Sequence, residues 1–188
     1  GDSAIASVVM QTTCCDHFLE FDKKEGMLKA EAGITLREIL KIIVPNGWFL
    51  PVTPGSSYVT LGGAIASDVH GKNHHIAGTF GQHVKSMRVL LGTGDIVTAS
   101  SAENVDLFRA TCGGMGLTGI IVSATIKLIP ILSSFINQKI IKADCIESGC
   151  EAFEMNSSAT YSVAWIDCLT KGKNLGRSVL ILGEHAQS

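Results

Sequence analysis

The chain has 188 residues, which is enough for one ordinary domain, or for one domain and part of a second. Hydrophobic residues make up 46% of it and the mean hydropathy is +0.31, so the chain can bury a sizeable core and disorder is excluded. The net charge is -2, which provides no basic field for nucleic acid. The 20 glycines concentrate in residues 55–71 and 92–119, which predicts two places where the backbone comes close to something.

The six cysteines contain no C-x-x-C pair. The adjacent Cys14 and Cys15 fit a strand better than a zinc-binding knuckle. We therefore expect reduced thiols in a cytoplasmic protein, most of them small core residues. The longest apolar run, residues 119–132, is interrupted by Lys127 and Pro130 and is too short for the ~18 residues of a membrane-spanning helix. The chain starts without Met in strand-like sequence, so we expect it to be trimmed at the N-terminus.

The first half of the chain alternates between hairpins and short helices. Residues 17–33 contain two alternating apolar stretches joined by Lys-Lys-Glu-Gly, which predicts a β-hairpin. A helix is predicted from the N-cap Thr35 to a stop at residues 45–47. Thr60 is a second N-cap and begins a short helix of small residues. Another hairpin is predicted over residues 84–100, around a Gly-Thr-Gly-Asp turn.

The character of the sequence changes after Pro130. Before it, a short helix is predicted over residues 102–114, and a long β-branched strand starts at Thr118. After it, the order strand, helix, strand, strand over residues 133–185 indicates the start of a second α+β unit. Because hairpins dominate and strands outnumber helices, the predicted fold class is α+β, a mixed or antiparallel sheet with flanking helices.

Gly114, Gly116 and Gly119 spell G-x-G-x-x-G, the pattern of a dinucleotide-binding turn. That function requires a strand before the motif and a helix after it, whereas here a helix precedes and a strand follows. The order argues against NAD binding. Two interpretations stay open: a tight turn that only glycine can make, and a bare strand start that a flat ligand approaches.

Residues 54–71 allow two interpretations of another glycine cluster. A Pro-Gly turn leads to the predicted helix start, which contains Gly62 and Gly63. Unobstructed N–H groups at a helix N-terminus can hold a diphosphate. The same residues can instead form a compact helix packed closely against a sheet, and the residues alone do not decide between the two.

Residues 68–75, Asp-Val-His-Gly-Lys-Asn-His-His, contain three of the six histidines. His70 and His74 could share a metal on one helix face, but Gly71 weakens that helix and no H-E-x-x-H pattern is present. A polar bend with hydrogen-bonded rings is the second interpretation. The third, which we favour, is a loop that lines a cofactor or substrate pocket, with Asp68 or a backbone group orienting His70.

Residues 54–84 and 107–121 together resemble the flavoproteins that share the vanillyl-alcohol-oxidase, or PCMH-type, FAD-binding domain. Within this superfamily the run from Gly62 to His75 is similar to the branch of the decaprenylphosphoryl-β-D-ribose 2'-oxidases. Residues 161–167 are similar to that branch as well, and the resemblance extends over the whole chain.

The resemblance implies a division of the chain into two parts. Residues 1–131 would be the second half of the FAD-binding domain, which lacks its N-terminal part. Residues 132–188 would be the truncated beginning of a substrate domain. With one of two phosphate-binding parts, the chain by itself is expected to carry no FAD and no activity.

The resemblance also implies FAD as the cofactor of the complete protein and assigns roles to residues. Ile121 would offer backbone atoms to the cofactor, and no metal is expected. The residues expected to contact the diphosphate and ribitol are Gly55, Thr60, Leu61, Gly62 and Gly63. The residues expected along the flavin are Ser67, Asp68, Val69 and His70. The expected catalytic residues are His70, near the reacting ring, and Lys72, which would meet a substrate phosphate unless it is merely solvated.

The activity implied is that of an FAD-dependent oxidoreductase, in which hydride passes from the carbon bearing a sugar hydroxyl to flavin N5. The expected substrate is a small-molecule sugar or a polyprenyl-phosphate sugar. Peripheral membrane contact and a homodimer are expected of the complete protein, and nucleic acid is not. The rival functions are a sugar-lactone or aldonate oxidase of the same superfamily and a non-enzymatic histidine metal-binding module.

Overall fold

The computed structural model of the chain describes residues 10–187. The strands in this range are β1 (Phe18–Asp22), β2 (Met27–Glu31), β3 (Trp48–Phe49), β4 (Val84–Leu90), β5 (Ile96–Ser100), β6 (Ile120–Lys127), β7 (Ile129–Pro130), β8 (Ile136–Ala143), β9 (Tyr161–Ile166) and β10 (Ser178–His185). The α-helices are α1 (Leu36–Ile43), α2 (Leu61–Ala66), α3 (His74–Ala77), α4 (Val105–Thr111) and α5 (Ile146–Met155). No helix within residues 10–187 is long and apolar enough to cross a bilayer.

The larger sheet has five strands in the order β1-β2-β6-β4-β5. β1 with β2 and β4 with β5 are the two predicted hairpins, and β6 joins them. Ala124 of β6 faces Ala30 on one side and Met87 on the other. All strand pairs in the described part of the chain are antiparallel. The predicted α+β class is therefore confirmed, with antiparallel rather than mixed sheets.

Helix α1 begins where the sequence predicts, because Thr35 forms a capping box. The Glu38 N–H donates to Thr35 Oγ1 at 3.2 Å, and the Thr35 N–H donates to Glu38 Oε2 at 2.9 Å. These bonds satisfy two backbone donors that would otherwise lack partners. Leu36, Ile39 and Ile43 are buried on one face, which packs the helix against the sheet.

Helix α2 packs so closely on the larger sheet that one of its positions has no room for a side chain. A Cβ on Gly62 would lie 2.9 Å from the Cβ of Ala32 and 3.2 Å from its carbonyl oxygen. Leu61, Ala64 and Ile65 are fully buried beside this contact. The compact-helix interpretation of this glycine cluster is therefore correct at Gly62.

A smaller sheet follows, with three strands in the order β8-β10-β9. Helix α5 covers one face, where Leu180 is fully buried. The opposite face stays open: Ile140 is 59% exposed and Trp165 is 75% exposed. The change from one sheet to the other falls between β7 and β8, and the division into domains at residues 1–131 and 132–188 stays a prediction.

Two predictions about the cysteines are wrong. Cys14 and Cys15 are exposed and lie in a turn and the segment after it, not in a strand. The thiols are also not core residues, since Cys150 and Cys168 are exposed and Cys112 and Cys145 are half-buried. None of the six cysteines lies in a strand, so the expectation that they fill the core of a sheet does not hold. All six are free thiols, as predicted.

We expect Gly62→Ala to destabilise the chain by about 1–3 kcal/mol, because the added methyl group overpacks the contact with Ala32. The matched control is Gly63→Ala, since a Cβ there would meet only Thr60 Oγ1 at 3.0 Å and a Val59 methyl group at 3.8 Å. Alanine also favours the helix by up to about 1 kcal/mol over glycine. Urea unfolding measures both variants, and equal losses of stability would refute the packing argument.

Candidate functional site

The turn that leaves helix α2 is shaped by Asp68, a non-glycine residue in the left-handed region with φ 41°. The Asp68 N–H donates to Ile65 O and the Val69 N–H to Ala64 O, both at 3.0 Å, the two bonds of a Schellman motif. Asp68 Oδ1 accepts the Gly81 N–H at 2.7 Å. Within residues 10–187 the carboxylate is thus bonded to Gly81 and not to His70, so the predicted orientation of His70 by Asp68 is wrong.

His70 and His74 do not share a helix. His70 lies before α3, in an isolated bridge with Thr79, whereas His74 and His75 begin α3. The His70 and His74 ring centroids are 5.8 Å apart, edge to face. His75 Nε2 is 2.9 Å from Ala159 O. Among the described residues no group of three His, Cys, Asp or Glu side chains is placed to hold a metal ion.

Lys72 is held at the junction of the two sheets. Its carbonyl oxygen accepts the Ser162 N–H of β9 at 2.9 Å. The neighbouring Asn73 is only 3% exposed, and its Nδ2 donates to Pro51 O at 2.8 Å. Asn73 was not predicted as a site residue. In the sequence it is a lone amide beside a charged residue in a loop, and this pattern does not distinguish a buried anchor from a solvated side chain.

A cavity of about 490 Å³ opens beside Lys72, between this loop and the open face of the smaller sheet. Its polar lining includes Lys72, Thr53, Gln138 and Tyr161. Its apolar lining includes Phe49, Ile136, Val163, Trp165 and Ile181. His70 is not among the residues that line it, so of the two predicted catalytic residues only Lys72 contacts this cavity. A smaller cavity of about 380 Å³ includes Lys72, His74 and His75.

The first turn of α2 does not present free donors for a diphosphate. The Leu61 N–H donates to Ile34 O and the Gly62 N–H to Ala32 O, both at 2.8 Å. The Gly63 N–H donates to Thr60 Oγ1 at 3.1 Å. The prediction that Leu61, Gly62 and Gly63 form a cradle of bare N–H groups is therefore wrong, because the protein itself occupies those three groups. Any contact of these residues with FAD stays a prediction.

The unoccupied donors lie just upstream, in the loop that contains Gly55. The N–H groups of Gly55, Ser56 and Ser57 have no acceptor among residues 10–187. A Cβ on Gly55 would have no atom within 4 Å, so the backbone is open to an approaching group. Successive free N–H groups suit the oxygens of a phosphate. The residues present thus fit the diphosphate of FAD at this loop rather than at the start of α2.

The G-x-G-x-x-G segment forms a tight turn, as the first of its two interpretations predicts. A Cβ on Gly114 would lie 2.1 Å from Ala110 O, and one on Gly119 would lie 2.6 Å from Leu90 O. The Gly113 N–H donates to Ile65 O, and the Met115 N–H donates to Ala66 O. The two glycine-rich regions therefore approach each other, at the end of α2.

The neighbourhood of that turn contains the other residues expected along the flavin. Ser67 and His70 are exposed, and Val69 is half-buried against the core. Met115 is 70% exposed, so an apolar side chain stands open to a flat ring beside them. Ile121 is buried in β6 opposite Val89, and its predicted backbone contact with FAD stays a prediction.

Cys112 is the thiol closest to this turn. Burial, and to a smaller extent the charge of Asp68, raises the pKa of Cys112 to about 11. A raised pKa keeps the thiol protonated, and the thiolate is the reactive form. We therefore expect iodoacetamide at pH 8 to modify the exposed Cys150 and Cys168 well before Cys112. Peptide mass spectrometry measures the three rates, and equal labelling would show that Cys112 is not protected.

Comparisons with known proteins identify the family of the chain. Residues 1–100 match the family model of the FAD binding domain. The chain is 37% identical to decaprenylphosphoryl-beta-D-ribose oxidase of Mycolicibacterium smegmatis over 195 aligned positions, 100% of this chain and 42% of that protein. It is 36% identical to an uncharacterized protein in the mprA 5'region of Streptomyces coelicolor, over 81% of this chain and 41% of that protein. It is 29% identical to D-arabinono-1,4-lactone oxidase of Yarrowia lipolytica, over 59% of this chain and 21% of that protein.

The chain spans about two fifths of the length of the first two relatives. The family model, by contrast, covers more than half of this chain and includes the loop at Gly55, helix α2 and the turn at Asp68. The chain therefore belongs to the FAD-binding domain family, which confirms the predicted family and FAD as its cofactor.

Proposed function

We propose that the chain is part of an FAD-dependent oxidoreductase that oxidises a hydroxyl group of a sugar linked through phosphate to a polyprenyl chain. The observation that carries the proposal is the cavity beside Lys72, which combines a cationic wall with an open apolar sheet face. A cationic wall can bind a phosphate, and an open apolar face can bind a long hydrocarbon chain. The similarity to decaprenylphosphoryl-beta-D-ribose oxidase supports the same substrate class.

The apolar wall is long enough to bind more than a sugar. In the strand register, Lys142, Val179 and Trp165 form one row across the smaller sheet, and Ile140, Ile181 and Val163 form the next. Gln138 and Tyr161 lie one row nearer to Lys72. Rows on one face of a strand are about 6.8 Å apart, so the three rows extend over roughly 14 Å.

In this proposal the side chains of the loop bind and orient the substrate. The Lys72 ammonium pairs with the substrate phosphate. The His70 ring, exposed beside Ser67, holds the sugar hydroxyl and accepts its proton. FAD, when bound at the Gly55 loop and the turn at Asp68, supplies the acceptor for the hydride. The proton and the hydride leave the same C–OH group, so the product is a keto sugar.

The second candidate is the oxidation of a sugar lactone, as the name of the Yarrowia lipolytica relative suggests. A small polar lactone would use the Lys72 end of the cavity and leave the apolar rows unoccupied. The open apolar face therefore favours the lipid-linked substrate. The histidine metal-binding module has no support from the described residues, since no group of three His, Cys, Asp or Glu side chains among them is placed to hold a metal ion.

The proposal is tested on the complete protein loaded with FAD. Anaerobic reduction of the flavin is measured as the loss of its absorbance. We expect farnesylphosphoryl-ribose to reduce the flavin in a single rapid phase and arabinono-1,4-lactone to reduce it at least tenfold more slowly. Reduction by the lactone alone would replace the proposal with the second candidate, and reduction by neither would refute both.

We expect two variants to separate the roles of the loop residues. Lys72→Met should raise KM at least tenfold with a smaller change in kcat, because it removes the charge that pairs with the phosphate. His70→Ala should lower kcat more than tenfold, about 1.4 kcal/mol of barrier, with FAD content unchanged. His83→Gln is the control, because His83 only contacts Ala77 O and its variant should match wild type. Activity of His70→Ala within twofold of wild type would assign His70 a structural role.

A further inference from the structure

Tyr161 and His185 form a polar pair in the wall of the cavity that the proposed mechanism does not use. Tyr161 Oη and His185 Nε2 are 3.1 Å apart. Tyr161 lines the cavity, whereas His185 lies behind it, with its ring edge-to-face against Phe49 at 5.0 Å and against Tyr161 at 5.6 Å between centroids. His185 is therefore placed to control the Tyr161 hydroxyl without contacting a ligand itself.

The strand register explains why the two side chains meet. Tyr161 of β9 faces Gly183 of β10, and His185 is the next residue of β10 on the same face. A Cβ on Gly183 would lie 3.5 Å from the Tyr161 Cβ, so the missing side chain leaves room for the ring to lie across the strand. Diagonal neighbours of this kind are within reach of aromatic side chains.

The second nitrogen of His185 decides which atom donates in the pair. His185 Nδ1 is buried and has no partner in the described part of the chain. A hydrogen on Nδ1 would be an orphaned buried N–H, which is rarer in proteins than an unsatisfied acceptor. In the tautomer with the hydrogen on Nε2, which leaves no buried N–H without an acceptor, the ring donates to Tyr161 Oη and the hydrogen of the Tyr161 hydroxyl stays free.

The free hydroxyl remains a donor. Burial, and then the charge of Glu184, raises the pKa of Tyr161, so the phenol stays protonated. Among residues 10–187, Tyr161 Oη has no hydrogen-bond partner besides His185. The neighbouring Ser162 is bonded to the Lys72 carbonyl, so Tyr161 and Lys72 flank the same end of the cavity. Two donors without an acceptor suit an anionic oxygen.

We propose that Tyr161 donates its hydroxyl hydrogen to a phosphate oxygen of the ligand in this cavity, and that His185 is the positioning residue that frees this hydrogen. The inference rests on the proposed function for the identity of the ligand, a phosphate on an isoprenyl chain. It adds a second donor to the Lys72 site and assigns that donor a supporting partner 24 residues away along the chain.

The test measures dissociation constants by calorimetry on the FAD-loaded protein, with farnesyl phosphate, farnesol and inorganic phosphate as probes. Tyr161→Phe should weaken farnesyl phosphate about tenfold, as expected for one hydrogen bond to a charged group, and change farnesol by less than twofold. The ratio of the two constants within each variant is insensitive to a partly unfolded fraction. An equal loss for both probes would show that Tyr161 is only an apolar wall and would overturn the proposal, and so would no loss for either.

The His185 variants test the positioning role. His185→Leu should weaken farnesyl phosphate at least threefold, whereas His185→Gln should stay within twofold of wild type because its amide N–H can replace Nε2–H. Glutamine behaving like leucine would overturn the role of His185. Binding of inorganic phosphate as tight as that of farnesyl phosphate would show that the site takes free phosphate and not a lipid head group, and would overturn the assigned ligand.

The outcome of these binding tests can be distinguished from the outcome of the flavin-reduction test of the proposed function. A protein that shows the Tyr161-dependent preference for farnesyl phosphate but no flavin reduction would refute the oxidation and keep this inference. A protein whose flavin is reduced by the lipid-linked sugar, but whose Tyr161→Phe variant binds both probes like wild type, would refute this inference alone.

Discussion

The close approach of helix α2 to strand β2 fixes the geometry of the site. Gly62 allows the helix to lie against Ala32, and the first N–H groups of α2 bond to the carbonyls of Ile34 and Ala32. With its N-terminus anchored there, the helix presents the carbonyls of Ile65 and Ala66 at its other end to the turn at residues 113–115. A side chain at Gly62 would move this far end as well, and with it Asp68 and the loop that carries His70 and Lys72.

The cavity depends on contacts between the two sheets. The Lys72 carbonyl bonds to Ser162, and the His75 ring bonds to the carbonyl of Ala159, so the loop contacts the β9 strand and the segment before it. Asn73 ties the same loop to Pro51 in the larger part of the molecule. Because the loop is held from both sides, the cationic and apolar walls of the cavity keep one relative position. A ligand with a charged head and an apolar chain requires such a fixed arrangement.

A single carboxylate, that of Asp167, holds the connection between β9 and β10 at one end of the smaller sheet. Asp167 accepts hydrogen bonds from Thr170, Leu169 and Arg177 in the connection between β9 and β10. The hydrogen bond from the Thr170 side chain is the largest of the causes that lower the pKa of Asp167, so the group stays ionised at neutral pH. A lowered pKa means that this contact contributes above the unfolded pKa and is lost only as the pH falls through the folded value. The connection therefore stays folded back.

The sequence by itself determined the elements, because their signals are local. Caps at Thr35 and Thr60, alternation in the two hairpins and the β-branched run of β6 each depend on residues within one turn or one strand. The family resemblance extended this to FAD and to the residues of the site. It could not show that the N–H groups of Leu61 and Gly62 already donate to carbonyls 27 and 30 residues upstream, since that requires knowledge of the packing.

Only the tertiary structure decided which residues face the same space. His70 and Lys72 are two residues apart, yet only Lys72 lines the cavity, while His70 lies in a bridge with Thr79. Tyr161 and His185 meet across a glycine in the neighbouring strand, a consequence of register that no local pattern encodes. The exposure of Cys14 and Cys15 was decided in the same way. Local periodicity specifies the elements, but hydrogen bonds and contacts between distant segments determine where each side chain lies.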